Sequence, residues 1–304
     1  MRVLVTGACG FVGRYLLAEL ASRGHTSYGM DRGAAPSDLP VQEFLSTDIC
    51  DASALKTAVR HVAPDACVHL AALAFVPSGK SSPRMMTEVN VMGTVNLLEA
   101  LRSDSPATRL LFVSTAQVYG THTRPAPVRE DDALHPESLY GITKAAADGI
   151  ALLYARQYDM PVMVARPYNH IGPGQAPDYV VSSFARQVMA IRQGTTPVIR
   201  VGNLESRRDF TDVRDIARAY ALLIEKGIPG EAYNIASGHQ VKIGEILTAL
   251  CELTGVHPEI IREESLFRPD DHCLELDSSR LRKTTDWSPL IPLRQTLSDI
   301  VKAS

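Results

Sequence analysis

The sequence predicts an α/β protein: a doubly wound parallel sheet with a smaller α/β lobe after it. Three observations predict it. Short apolar or β-branched runs alternate with longer helical patterns through the first half, a glycine-rich turn directly follows the first run, and the texture changes after Arg166. Parallel neighbours cannot be joined by a hairpin, so alternation of this kind implies strands linked by helical crossovers.

The elements read in order as follows. Arg2 to Thr6 is a strand, Phe11 to Arg23 a helix, Thr26 to Asp31 a strand, and a third strand precedes Asp48. Ala52 to Val62 is a helix, Ala66 to Leu70 a strand, Glu88 to Arg102 a helix, and Arg109 to Ser114 a strand. Ser138 to Tyr158 is a helix and Val162 to Arg166 a strand. Pro167, Pro173, Gly174 and Pro177 then crowd turn signals into one short stretch. Beyond it, Asp212 to Lys226 and Ile243 to Leu253 are amphipathic helices, Gly255 is a stop, and a last helix runs from about Leu293 to Lys302. The expected division is a nucleotide-binding domain over residues 1–167, with a later contribution from about 210–236, and a substrate lobe built mainly from 168–304.

Composition narrows the function classes. With 45% hydrophobic residues in 304, the chain can bury a large core. Lys plus Arg number 31 against 34 Asp plus Glu, and no basic block provides a footprint for nucleic acid or anionic lipid. No apolar run reaches the roughly 18 to 20 residues of a membrane span, and the glycine turn at residue 7 leaves no room for a signal peptide core. Cys9, Cys50, Cys67, Cys251 and Cys273 are widely spaced without a CxxC pair, so neither a disulfide frame nor a metal site is expected. A reducing cytoplasm is the expected location.

The turn Gly7-Ala8-Cys9-Gly10-Phe11-Val12-Gly13 has the spacing GxxGxxG. Glycines there allow a tight turn and close backbone approach to a pyrophosphate, at the positive end of the helix that follows. Such turns are common, and the loop gains meaning from Asp31, which ends the second strand where a carboxylate can accept from adenosine ribose hydroxyls. That favours NAD, whereas Arg32 can pair with a 2'-phosphate and leaves NADP open. Asp48 and Ile49 are placed to meet the adenine, or Asp48 simply caps the next helix.

Tyr140 and Lys144 stand four residues apart, on one face of a helix. A neighbouring Lys favours phenolate, so Tyr140 can exchange a proton with an alcohol or carbonyl oxygen. Thr115 leaves the strand ending at Ser114, at the carboxyl edge where doubly wound sheets bind ligands, and can hold that oxygen in line. With a nicotinamide, the trio Thr115, Tyr140 and Lys144 is a hydride-transfer site for a secondary alcohol.

With these elements the chain resembles the extended short-chain dehydrogenase/reductase family over nearly its whole length. The resemblance also rests on His69-Leu70-Ala71-Ala72, Asn90-Val91-Met92-Gly93-Thr94 and Val118-Tyr119-Gly120. It implies a Rossmann fold and NADP or NAD contacts at Gly7, Gly10, Phe11, Val12, Gly13, Asp31, Arg32, Asp48, Ile49, Leu70, Ala71, Ala72, Asn90, Val113, Tyr140, Lys144, Pro167 and His170. For His170, packing is the alternative reading.

Residues Arg166 to Gln175 and Val201 to Asp212 look like the GDP-mannose 4,6-dehydratase branch and its partner reductases of GDP-4-keto-6-deoxy sugars. This implies a GDP-linked 4-keto-6-deoxy sugar as substrate, with Thr115, Gln117, Tyr140, Asn169, Asn203, Arg208 and Arg268 as its contacts. Arginines opposite a diphosphate suit bidentate pairing. Dehydration needs an acid and a base, which related dehydratases place just after the catalytic Thr. Here those positions are Ala116 and Gln117, neither of which exchanges a proton near pH 7. Reduction at C4 to GDP-D-rhamnose or a close isomer is the reading, with 4-epimerase or dehydratase as the alternative. The resemblance also implies a homodimer paired through the helices Glu88 to Arg102 and Ser138 to Tyr158.

Overall fold

A computed structural model describes residues 1–34, 36–74, 82–121, 126–267 and 274–304. The first half contains β1 (Arg2–Thr6), α1 (Phe11–Ser22), β2 (Thr26–Asp31), β3 (Glu43–Ser46), α2 (Ala52–Val62) and β4 (Ala66–His69). Then come α3 (Pro83–Thr87), a π-helical turn (Glu88–Met92), α4 (Gly93–Asp104), β5 (Arg109–Val113), α5 (Leu139–Tyr158) and β6 (Val162–Pro167). The second half contains β7 (Asn169–Ile171), α6 (Val180–Arg192), β8 (Val198–Val201), β9 (Arg207–Asp212), α7 (Val213–Lys226) and β10 (Ala232–Ile235). It continues with β11 (Gln240–Lys242), α8 (Ile243–Thr254), β12 (Glu259–Arg262), α9 (Ser279–Thr285) and α10 (Leu293–Ala303).

Seven parallel strands form the large sheet in the order β10-β6-β5-β4-β1-β2-β3. The doubly wound class is therefore present, and the winding reverses between β1 and β4, which opens a crevice at the strands' carboxyl ends. Every residue of β4 and β6 is buried, as helices on both faces require. Leu16, Leu20, Ile216 and Tyr220, from α1 and α7, fill one face. Leu55, Leu98 and Ala147, from α2, α4 and α5, fill the other.

The expected boundaries shift where capping chemistry decides. Ser138 is the N-cap of α5, its hydroxyl accepting from Gly141 N at 3.0 Å, and Asp212 caps α7 through Arg214 N at 2.8 Å. The helix read as continuous from Glu88 begins with the π turn, which sequence periodicity does not distinguish from α-helix. Strand β3 is the strand expected before Asp48, whereas the helices α3, α6 and α9 and the short strands β7 to β12 are the structure's additions.

The smaller lobe is assembled from distant segments. β9 pairs parallel with β7 and antiparallel with β11, while β12 pairs with β8. Their core takes Phe184, Val188, Leu247, Leu250 and Ile300 from α6, α8 and α10. Asp212 joins this lobe to the large one: its Oδ2 accepts from Thr296 Oγ1 of α10 at 2.7 Å, and Arg214 bridges it to Asp299 at 2.9 Å. Among the described residues no helix is long and apolar enough to cross a membrane.

Candidate active site

The site lies at the carboxyl edge of the large sheet. Register sets Thr6 of β1 beside Met30 and His69, His69 beside Phe112, and Val113 beside Ala165, so every loop leaving these strands opens on one side. Gly7 follows β1 at φ +72°, where a Cβ would stand 2.8 Å from Ala71 N. Only glycine lets the two loops approach so closely. Helix α1 starts at Gly10 without a capping side chain, leaving first-turn N–H groups of Phe11, Val12 and Gly13 to meet an anion.

That uncapped start fits a dinucleotide pyrophosphate. Asp31 ends β2 with Oδ2 accepting from Cys9 N at 3.1 Å and Oδ1 accepting from Arg32 N at 2.8 Å, so one carboxylate orders both the loop and its own turn. Arg32 is exposed beside it. Asp48 is exposed and closes a turn on Cys50 N at 2.9 Å. Ile49 instead buries its side chain in the core, where α4 packs over it. Across the crevice, His170 stacks on Phe11 with centroids 6.2 Å apart and planes 9° from parallel. Its Nδ1–H donates to Tyr168 O at 3.1 Å, which leaves Nε2 free to accept.

Thr115 opens a short 3-10 turn, Ala116–Tyr119, its hydroxyl accepting from Gln117 N at 3.3 Å. Gly120 ends the turn at φ +65°, where a Cβ would lie 1.9 Å from His135 O. Ser138 Oγ donates to Gln117 Oε1 at 3.3 Å, fastening this turn to the start of α5. Tyr140 stands in the first turn of that helix and Lys144 one turn on. The Lys144 ammonium lies 4.3 Å above the Phe112 ring, and the residue is 2% exposed.

Electrostatics here depart from the sequence argument, in which Lys144 lowers the Tyr140 pKa. Burial, seconded by Tyr179, pushes the Tyr140 phenol up to about 12. Burial also brings the Lys144 ammonium down to about 7, opposed by the Asp148 carboxylate. Desolvation thus favours the neutral form of each partner. Tyr140 keeps its proton, the state a donor needs.

Beneath the pair lies a network that sequence reading missed. Arg166 grips Asp148 through two 2.9 Å bonds and donates to Tyr119 OH and Glu130 O at 2.8 Å. Asn90, on the π turn, donates to Leu73 O at 3.1 Å and accepts from Leu73 N at 2.8 Å. The sequence signals that pointed there are an acid four residues after Lys144 and Asn90, which was expected only as a cofactor contact.

In the smaller lobe, Asn169 of β7 pairs with Phe210 of β9, and Arg208 lies two residues earlier on β9, so both side chains leave one face of that sheet. Asn169 Nδ2 donates to Asp209 O at 3.3 Å, and Arg208 Nη1 to Arg207 O at 2.7 Å. Asn203 accepts from Glu205 N at 3.0 Å in the loop before β9. Arg268 and Cys273 lie outside the described residues.

This fold and site define an NAD(P)-dependent oxidoreductase of the short-chain dehydrogenase/reductase class. The family described as GDP-mannose 4,6 dehydratase matches residues 4–300, and the chain belongs to it. It is 35% identical to a GDP-6-deoxy-D-mannose reductase of Pseudomonas aeruginosa, covering 99% of this chain and 96% of that one. A structure of RMD from P. aeruginosa complexed with NADPH superposes with a TM-score of 0.87 at 33% identity, over 99% and 98% of the two chains. UDP-glucose 4-epimerase of Thermus thermophilus, complexed with NAD, gives 0.87 at 29% identity over 100% and 98%.

Proposed function

We propose that this chain reduces C4 of a GDP-linked 4-keto-6-deoxyhexose, giving GDP-D-rhamnose or a close isomer. The observation that carries the reading is the turn after Thr115. Ala116 is fully buried there and the Gln117 amide is engaged by Ser138, so the turn offers no group to remove a C5 proton or protonate a leaving hydroxyl. The likeness to the P. aeruginosa reductase supports it.

A bound NAD(P)H supplies the hydride. Tyr140 donates its retained proton to the C4 oxygen while Thr115 orients that oxygen. Lys144 holds the nicotinamide ribose and, once charged, favours the phenolate left behind. Gly7, Gly10, Phe11, Val12, Gly13, Asp31 and Arg32 hold the adenosine and pyrophosphate, with Leu70, Ala71, Ala72, Asn90, Val113, Pro167 and His170 around the nicotinamide half. Residues 168–304 mainly build the sugar-nucleotide lobe, where Asn169, Asn203, Arg208 and Arg268 hold the GDP moiety. The free thiols of Cys9, Cys50, Cys67 and Cys251 support work in a reducing cytoplasm.

Incubation with GDP-4-keto-6-deoxymannose and NADPH or NADH, followed by NMR, tests the reading. Stoichiometric cofactor oxidation with a GDP-6-deoxyhexose product is the expected result; turnover of a GDP-hexose without net oxidation overturns it.

The working form is a homodimer. On α5 an exposed stripe of Ile142, Ala146, Gly149 and Leu153 has spacing suited to helix packing, and Met85 and Met92 lie exposed on the helical segments packed beside it. Sedimentation showing a dimer that Ile142→Glu splits is expected, and a monomer throughout overturns it.

A further inference from the structure

We propose that His69 is a positioning residue, linking the dinucleotide loop to the helix that carries Tyr140 and Lys144. The inference rests on the site reading above but not on the identity of the sugar. His69 ends β4 at 1% exposure, between Thr6 of β1 and Phe112 of β5. Its Nδ1 lies 2.7 Å from Thr6 Oγ1 and its Nε2 3.1 Å from Thr94 Oγ1.

Proton accounting assigns the tautomer. Thr94 spends its only hydroxyl proton on Asn90 O at 2.7 Å, so it accepts from His69 Nε2–H. Nδ1 is then bare and accepts from the Thr6 hydroxyl, whose oxygen in turn accepts from Ala71 N at 3.2 Å. A neutral imidazole satisfies every partner. Burial, with Lys144 adding to it, holds His69 down to about 3, so it stays neutral.

Each end of this chain of bonds reaches working parts of the site. Thr6 immediately precedes Gly7, and Ala71 is the residue whose backbone that glycine approaches. At the other end, Asn90 Nδ2 donates to Thr143 Oγ1 at 3.0 Å, and Thr143 Oγ1 donates to Tyr140 O at 3.0 Å. His69 hydrogen-bonds to both arms, and it also packs on Phe112, the ring beneath the Lys144 ammonium.

Two substitutions at the hub and one in each arm test this. His69→Phe keeps ring volume and removes both bonds; His69→Gln can still accept from Thr6 and donate to Thr94. Binding of NADPH and NADH by calorimetry is measured with kcat, both KM values and Tm. His69→Phe should weaken dinucleotide binding and lower kcat, each about tenfold, as the loss of a buried bond implies. The sugar KM should move less than about twofold, and His69→Gln should recover most of both losses. Thr6→Val should weaken dinucleotide binding with kcat nearly kept, and Thr94→Val the reverse, which keeps the proposal testable if His69→Phe does not fold. A lowered Tm with unchanged binding and kcat, or equal behaviour of His69→Gln and His69→Phe, overturns the proposal. A wild type that binds no dinucleotide overturns it together with the site reading. A wild type that binds dinucleotide without reducing the keto sugar overturns only the substrate assignment.

Discussion

The two lobes put their proposed functional groups on different kinds of support. In the large sheet, Thr115, Tyr140 and Lys144 hang on a strand end and a helix start joined by Gln117 and Ser138. In the smaller lobe, Asn169, Asn203 and Arg208 hang on short strands and a loop drawn together from residues far apart in the chain. Rigid crossovers suit groups whose geometry sets a barrier, whereas composite strands suit groups that only recognise. Damage in the first lobe should therefore appear in kcat or folding, and damage in the second in KM.

Tyr140→Phe offers the hardest test of that division. It keeps the ring and removes the transferable proton, so kcat should fall about 10² to 10⁴ while KM changes less; steady-state rates with the keto sugar would show it. Next is Asp148→Asn, which removes the negative charge and one of the two acceptors from the fully buried partner of Arg166. Denaturant unfolding should show a loss of about 3–5 kcal/mol. Arg208→Ala should raise the nucleotide-sugar KM about tenfold or more with kcat nearly kept, since bonds to charged groups contribute about 1.5–3 kcal/mol. A kcat loss there as large as that of Tyr140→Phe would erase the distinction between the lobes.

A pH experiment sharpens the same contrast. Lys144 is lowered from 10.5 to about 7 in the fold, so between those values the unfolded chain binds more protons and stability rises with pH. Unfolding free energies of wild type should show that slope, and Lys144→Met should flatten it while raising stability and abolishing activity. The smallest effect concerns cofactor choice. Asp31→Ala should shift the kcat/KM ratio toward NADPH, and an unchanged ratio would remove Asp31 from ribose selection.

Legibility followed the same line. Strands β1, β2, β4, β5 and β6 were readable because each is a local run of strand-forming residues bounded by turn signals, and β1, β4 and β5 each lead on to a helix before the next strand. Strands β7, β8, β11 and β12 are three or four residues long and owe their existence to partners distant in sequence, which no local pattern encodes. In the proposed site, the placement of Tyr140 and Lys144 one helical turn apart and of Thr115 just past a strand end was readable from residue type and spacing. The protonation balance of Tyr140 and Lys144 was not, because desolvation depends on what packs around them. Nor was the π turn that delivers Asn90 to Leu73, since its sequence reads as ordinary helix.

The bond from Asp212 to Thr296 has a consequence in time. Domains tend to fold as they are synthesised, from the amino end forward. Here the large sheet lacks its edge strand β10 until residue 235 is made, and α7 gains its clasp only when α10 emerges. Until then the Asp212 carboxylate and the smaller lobe's apolar core face water. Folding on the ribosome should therefore produce a nearly finished large lobe that waits, beside an incomplete smaller lobe, for helix α10 to close it.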